Sequence, residues 1–336
     1  MGFDDKKILL ACVAGTIISY NVIRLIKAFF ANRKDEWIPV GVVKNLWMFP
    51  VKSCSRQEVF SLYCDELGPR FGENRDREFT AIYEDTGVML TARDAPRMML
   101  IQVKVADGVL TLSTPEGESV SVMLADVIEQ RIVRRATKLG LPVDGLDCGE
   151  AAAKFFTEYL EMTGIRLIYF RDDLFNGRPC TVDPGWSMNP FPKRSDPVRY
   201  VDLSPYHIST EESLKALNKE METPISSEWF RANIVVDLSP AWDEDRWAEV
   251  RIGGVELMCY KPCTRCVLIT VNPDIGVKSS EMQPLKRMRE IRLAPEGPLR
   301  EKHGQAPVFG INAGLIKPGY IHVGQTVYAK YKNCAL

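Results

Sequence analysis

Histidine is scarce, with only three in 336 residues, and neither sign of charge prevails: 43 Lys+Arg against 44 Asp+Glu leaves −1. Without a basic excess there is no general drive toward a polyanion, which argues against nucleic acid as a partner and leaves only a local basic site open. Histidines at 207, 303 and 322, and a single Cys-x-x-Cys run, offer little to complete a four-ligand structural zinc site. Neither a fixed-period repeat nor a low-complexity tract occurs, and Rossmann glycine and haem motifs are missing. What remains is an ordinary folded composition, 46% apolar and 26% charged, long enough for one large or two ordinary domains. Nine cysteines, an odd number, do not read as a secreted disulfide framework and suit a reducing compartment.

The N-terminus carries one long apolar run. Ile8 to Ile23 holds no charge and would make a helix of about 24 Å at ~1.5 Å per residue. That is short of a hydrocarbon core of ~30 Å, but the run reaches residue 30 if Arg24 and Lys27 snorkel. A cleaved secretory signal and a buried helix are the competing readings. Lys6 and Lys7 precede the run, whereas Arg24, Lys27, Arg33 and Lys34 follow it, which puts the C-terminal bulk on the cytosolic side. The expectation is a single transmembrane signal anchor with its linker over 1–36.

Past Trp37 the texture turns to β. Val40–Val51, Glu78–Tyr83, Val88–Thr91 and Ser119–Leu124 read as strands, and Met99–Val105 with Val109–Ser113 as a hairpin about Asp107-Gly108. Ala151, Phe155, Phe156, Tyr159 and Leu160 mark one face of a helix over Gly149–Thr163. Residues 171–200 read as a connecting loop. Ser209 and Glu212 have capping-box spacing before a helix to Met221. Phe230–Asp237, Val250–Tyr260, Val267–Val271 and Gly319–Tyr328 are further strand candidates, and Pro284–Leu293 a short basic helix. The class is mixed α+β, mainly β, with small barrels or sandwiches. The division is 37–175 and 176–336 after the anchor.

Cys259, Cys263 and Cys266 lie within eight residues. Zinc and iron–sulfur lack the remaining ligands, and a thioredoxin-like dithiol should precede a helix, whereas Cys266 leads into an apparent strand. Buried structural thiols are one reading. Arg265 supports another, because a neighbouring guanidinium stabilises a thiolate at Cys266.

An ordered set of segments carries a resemblance: Pro50-Val51-Lys52-Ser53-Cys54, Asp76-Arg77-Glu78-Phe79, Met89-Leu90-Thr91-Ala92-Arg93, Phe230-Arg231-Ala232-Asn233, Cys263-Thr264-Arg265-Cys266 and Val308-Phe309-Gly310. Together they resemble the mitochondrial amidoxime-reducing component family, membrane-anchored molybdenum enzymes with an N-terminal MOSC β-barrel region and a MOSC domain. The resemblance implies a molybdenum cofactor, molybdopterin with its metal, and makes Cys266 the protein ligand to molybdenum and the catalytic residue. It assigns cofactor binding to Lys52, Ser53, Arg77, Asp202, Ser204, Arg231, Asn233, Thr264 and Arg265. Arg231 and Asn233, two apart, would share one face of a strand. Thr264 stands where the family has Ser, and Ser55-Arg56 where a glycine is common. Arg93 and Arg97 are taken as structural.

The activity implied is two-electron reduction of N-hydroxylated compounds: amidoximes, hydroxylamines and N-oxides. Electrons would come from NADH through cytochrome b5 reductase and cytochrome b5, with Lys286, Arg287 and Arg289 as candidate docking charges. The implied address is the outer mitochondrial membrane facing the cytosol, with peroxisome or endoplasmic reticulum as alternatives. Two other functions stay open: cofactor handling or sulfur transfer without turnover, and a zinc-containing scaffold. A complete sulfurase is disfavoured because nothing looks like a pyridoxal-phosphate aminotransferase region.

Overall fold

The computed structural model describes residues 36–138, 141–174, 178–181 and 195–332. The expected anchor lies outside the described residues, and among those described no helix is long and apolar enough to cross a membrane.

The architecture is mainly β and built around a closed seven-stranded barrel. Its strands are β1 (Ile38–Met48), β2 (Tyr206–Thr210), β3 (Ile234–Asp237), β4 (Trp247–Ile252), β5 (Val255–Thr264), β6 (Val308–Lys317) and β7 (Thr326–Tyr331). Around the ring the order is β1-β3-β2-β6-β5-β4-β7, with β7 returning to β1. Six strands come from the second half of the chain, and β1 closes the wall between β3 and β7. Within the barrel, β2 and β3 are the one parallel pair. A parallel pair needs a crossover, and the helix Glu211–Asn218 supplies it.

Period-two alternation explains the wall. Val327 and Ala329 are buried while Thr326, Tyr328 and Lys330 face outward. The interior holds Val43, Leu46, Ile208, Val236, Trp247, Val250, Leu257, Ile311 and Ala313 in one cluster. At the β1–β3 seam the backbones come so close that a Cβ on Gly41 would sit 2.2 Å from the Asp237 carbonyl oxygen.

The N-terminal half adds open sheets against a second core. One orders Val133–Arg134, Gly145–Asp147, Ile165–Tyr169 and Phe79–Tyr83, and another is the meander Gln102–Ala106, Val109–Ser113, Ser119–Met123. The expected turn is there: Asp107 and Gly108 have φ of 54° and 70°, as a type I′ hairpin needs. The helix Glu150–Leu160 buries Ala152, Ala153, Phe155, Phe156 and Tyr159, so its stripe is shifted and Ala151 is exposed.

Several local expectations are corrected. Val88–Thr91 makes only isolated bridges, to Ile82 and Thr137. Within 171–200, Arg178–Thr181 pairs with Ser195–Val198. Ser209 belongs to β2, so Thr210 caps the following helix, its hydroxyl accepting from the Ser213 amide at 3.3 Å. Phe230 ends a 3-10 turn, Ser227–Phe230, and the strand starts only at Ile234. Val267–Thr270 is another 3-10 turn despite its β-branched residues. Gly319–Tyr328 divides into Gly319–His322, which pairs with Ser61–Asp65, and the start of β7.

Candidate active site

One end of the barrel gathers five chain segments. The loop after β1 brings Lys52 and Ser53, and the approach to Phe79–Tyr83 brings Arg77. The approach to β2 brings Asp202 and Ser204 and β2 itself His207, the approach to β3 brings Arg231 and Asn233, and the end of β5 brings Thr264, Arg265 and Cys266. All line a single cleft of about 310 Å³, together with Thr91, Arg93, Trp229, Phe230, Lys261, Cys263 and Asn312. Every site residue named from the sequence is therefore at this cleft. Arg97 lies elsewhere, over the Tyr159 ring at 4.4 Å, whereas Arg93, taken as structural, is on the cleft wall.

The lining is unbalanced in charge. Lys52, Arg77, Arg93, Arg231, Lys261 and Arg265 face one carboxylate, Asp202. Lys52 Nζ donates to Asp202 Oδ1 at 2.7 Å and to the Tyr200 carbonyl at 2.9 Å. Lys138 also donates to Asp202. Desolvation pushes that carboxyl up, but the two lysines outweigh it and hold its pKa well below the usual range. Arg77 donates to Asp76 at 2.5 Å. Arg231 and Arg265 have no carboxylate within ion-pair distance among the described residues. Arg231 donates to the Cys54 carbonyl at 2.8 Å, and Arg265 to the Phe230 and Phe309 carbonyls at 3.0 and 2.8 Å. Arg77 and Arg231 both lie over the Phe49 ring, at 4.3 and 4.1 Å. Loss of water and repulsion from Arg77 bring Arg231 down to about 9.

Backbone strain concentrates here too. Ser53, Arg77 and Arg231 have φ of 69°, 46° and 52°, a left-handed conformation that costs a non-glycine residue ~1–3 kcal/mol. Arg231 therefore does not lie on a strand, and the expectation that it shares a strand face with Asn233 fails. Asn233 serves the backbone: its side chain accepts from the His207 amide at 3.2 Å and donates to the Trp47 carbonyl at 3.3 Å. Ser204 donates to the Tyr206 carbonyl at 2.7 Å.

Exposure separates the thiols. Of six described cysteine side chains, Cys54, Cys64, Cys148 and Cys259 are buried, Cys263 is half-buried and Cys266 is exposed. Burial pushes Cys54, Cys64 and Cys259 up to about 12, which leaves them unreactive.

A larger cleft of about 580 Å³ lies in the N-terminal half. Its arginines, Arg75, Arg171 and Arg199, meet four carboxylates, Glu73, Glu78, Asp172 and Asp173, and no cysteine lines it. The smaller cleft is the one suited to a polyanion that carries a soft metal. Its six cations outnumber the one lining carboxylate, and Arg231 and Arg265 are left with charge for a phosphate-bearing ligand, while its exposed thiol offers a soft donor. The residues thus fit a molybdopterin-type group.

His207, Lys261 and Asn312 escaped sequence reasoning, because each is an isolated polar residue within a strand pattern. His207 is 9% exposed, and burial together with Arg265 holds its imidazole well below its ordinary pKa.

Two family models match the chain, the MOSC N-terminal beta barrel domain over residues 40–163 and the MOSC domain over 195–328. The mitochondrial amidoxime-reducing component 1 of Mus musculus is 36% identical over 297 residues, covering 88% of this chain and 84% of its own. Component 1 of Homo sapiens is 34% identical over 95% of this chain and 91% of its own. Component 2 of Homo sapiens is 37% identical over 88% and 86%.

Proposed function

Since the chain belongs to the MOSC-domain family of mitochondrial amidoxime-reducing components, we propose that it is a molybdenum-cofactor-dependent oxidoreductase that reduces N-hydroxylated compounds such as amidoximes, hydroxylamines and N-oxides. One observation carries the reading: six cations and an exposed cysteine line one cleft with a single carboxylate.

Bound there, the cofactor supplies the two-electron chemistry that removes oxygen from nitrogen. The protein binds and orients. Cys266 is the thiolate ligand to the metal. Lys52, Arg77, Arg231 and Arg265 would donate charge-assisted hydrogen bonds to the cofactor's anionic groups, with Ser53, Ser204, Asn233 and Thr264 as neutral contacts. Asp202, the more exposed partner, ion-pairs with the buried Lys52 and fixes its ammonium at the cleft. Trp229, Phe230, Leu268 and Ile269 give the cleft an apolar side for the body of an organic substrate.

Electrons arrive from NADH by way of cytochrome b5 reductase and cytochrome b5. On the helix Leu285–Ile291, Arg287 is already tied to Glu220 and Glu290, which weakens it as a docking charge and favours Lys286. Residues 1–36 anchor the chain in the outer mitochondrial membrane with the catalytic part toward the cytosol, an address that accords with the relatives' mitochondrial names.

The test is Cys266→Ala, made in a host that synthesises the eukaryotic-type cofactor. Amidoxime reduction with a reduced dye as donor falls at least 100-fold while the melting curve stays the same. Retained turnover overturns the assignment.

A further inference from the structure

We propose that His207 is the positioning residue for Arg265, a neutral acceptor that fixes the guanidinium in the cleft without cancelling its charge. The inference rests on the cofactor reading above.

Arg265 is held along one edge by backbone. Nε and Nη2 donate to the Phe309 carbonyl at 3.1 and 2.8 Å, and Nη1 to the Phe230 carbonyl at 3.0 Å. Among the described residues the one polar side chain bonded to it is His207, with Nη2 2.5 Å from Nε2 and 3.3 Å from Nδ1. A guanidinium only donates, so the imidazole must accept. Nε2 also lies 3.3 Å from the Phe309 carbonyl oxygen, which only accepts, but Arg265 Nη2 is much closer and already donates to that same carbonyl, so the shorter contact assigns the bare lone pair to Nε2, the proton to Nδ1 and no charge to the ring. A carboxylate in the same place would orient Arg265 equally well and neutralise it. An imidazole orients it and leaves the positive charge for the ligand.

The chain also fixes the ring and reserves its space. The His207 amide donates to Asn233 Oδ1, and its carbonyl accepts from the Asn233 amide at 2.9 Å. Across β6, Gly310 has φ of +72°, and a Cβ there would come within 2.4 Å of His207 Nε2. The imidazole edge is seated against a position where no side chain fits. His207 touches the cleft wall but is only 9% exposed, and the side chain its ring meets is that of Arg265, through which it acts.

The experiment compares molybdenum per chain by mass spectrometry for the wild type, His207→Phe, His207→Met and His207→Gln, all produced under limiting cofactor. Phe and Met remove the acceptor with different shapes, so one is available if the other does not fold. Gln keeps an acceptor. Occupancy is expected to fall about tenfold in Phe and Met and to stay within about twofold of wild type in Gln, with all melting curves alike. Wild-type loading in the Phe or Met variant overturns the inference alone. So does an equal loss in Gln, which would mark a packing role. A wild-type chain that carries no molybdenum overturns the function proposed above and this inference with it.

Discussion

At the scale of single residues, chemistry was more legible than geometry. Cys266 stood out because its neighbour is Arg265, and it is the exposed one among six described thiols. Arg231 was legible as a cation but not as a left-handed residue, since nothing in Phe230-Arg231-Ala232-Asn233 announces a 3-10 end. His207 is not legible in the sequence, because an isolated histidine in a strand pattern carries no signal and its contact with Arg265 spans 58 residues. Arg231 offers a clean residue-scale prediction. Its guanidinium reaches the Cys54 carbonyl while lying flat over Phe49, and an ammonium cannot keep both contacts. Arg231→Lys is therefore expected to lower molybdenum content nearly as far as Arg231→Gln, by at least fivefold, as read by mass spectrometry. Full loading in the lysine variant would mean that charge alone suffices.

Elements were readable where a local pattern suffices. The Asp107-Gly108 hairpin needs only its own turn residues, and its turn is where expected, although its first strand starts at Gln102 because Met99 and Leu100 close the 3-10 turn Pro96–Leu100. The crossover helix is legible but its cap is one residue off, because the strand runs on to Thr210, which pairs with Val236, and as its last residue before Glu211 Thr210 takes the cap. That cap reaches further than the helix. Glu244, fully buried, accepts from Thr210 at 3.0 Å and Ser213 at 2.8 Å. Burial first, and Asp245 second, push its carboxyl up to about 7. A raised folded-state pKa gives stability that is complete below the unfolded value near 4.5 and lost as pH rises through 7. Urea unfolding should thus show the wild type weakening between pH 5 and 8. Glu244→Gln should lose part of that slope and be the more stable chain at pH 8. The slope should not vanish, because burial also raises Glu78 to about 7. An unchanged slope in the variant would show that Glu244 is ionised throughout.

For the molecule as a whole, the β texture was plain in the sequence and the closure of the barrel was not. Alternation tells a strand which face is apolar, but it does not name the partner strand. β1 illustrates the gap, since its partners begin at Ile234 and Thr326. β1 buries Val40, Val43, Leu46, Trp47 and Met48. At ~1.5–3 kcal/mol for each large apolar side chain, their loss rivals the ~5–15 kcal/mol by which a domain is usually stable. A chain starting at residue 37 should unfold cooperatively in urea, whereas one starting at residue 49 should not. A cooperative transition in the shorter chain would mean that the barrel tolerates an open seam.

The seam between β1 and β7 also has a consequence in time. β1 leaves the ribosome long before β7, its partner on one side, is made. About 280 residues separate them, on the order of tens of seconds at ~5–20 residues per second. Throughout that interval β1 has an unpaired edge of the kind that other chains can join. A nascent chain released before Thr326 can carry every residue of the cleft and still lack the strand that locks its wall. Premature termination just ahead of Thr326 should accordingly yield protein that chaperones retain, rather than a slightly shortened enzyme.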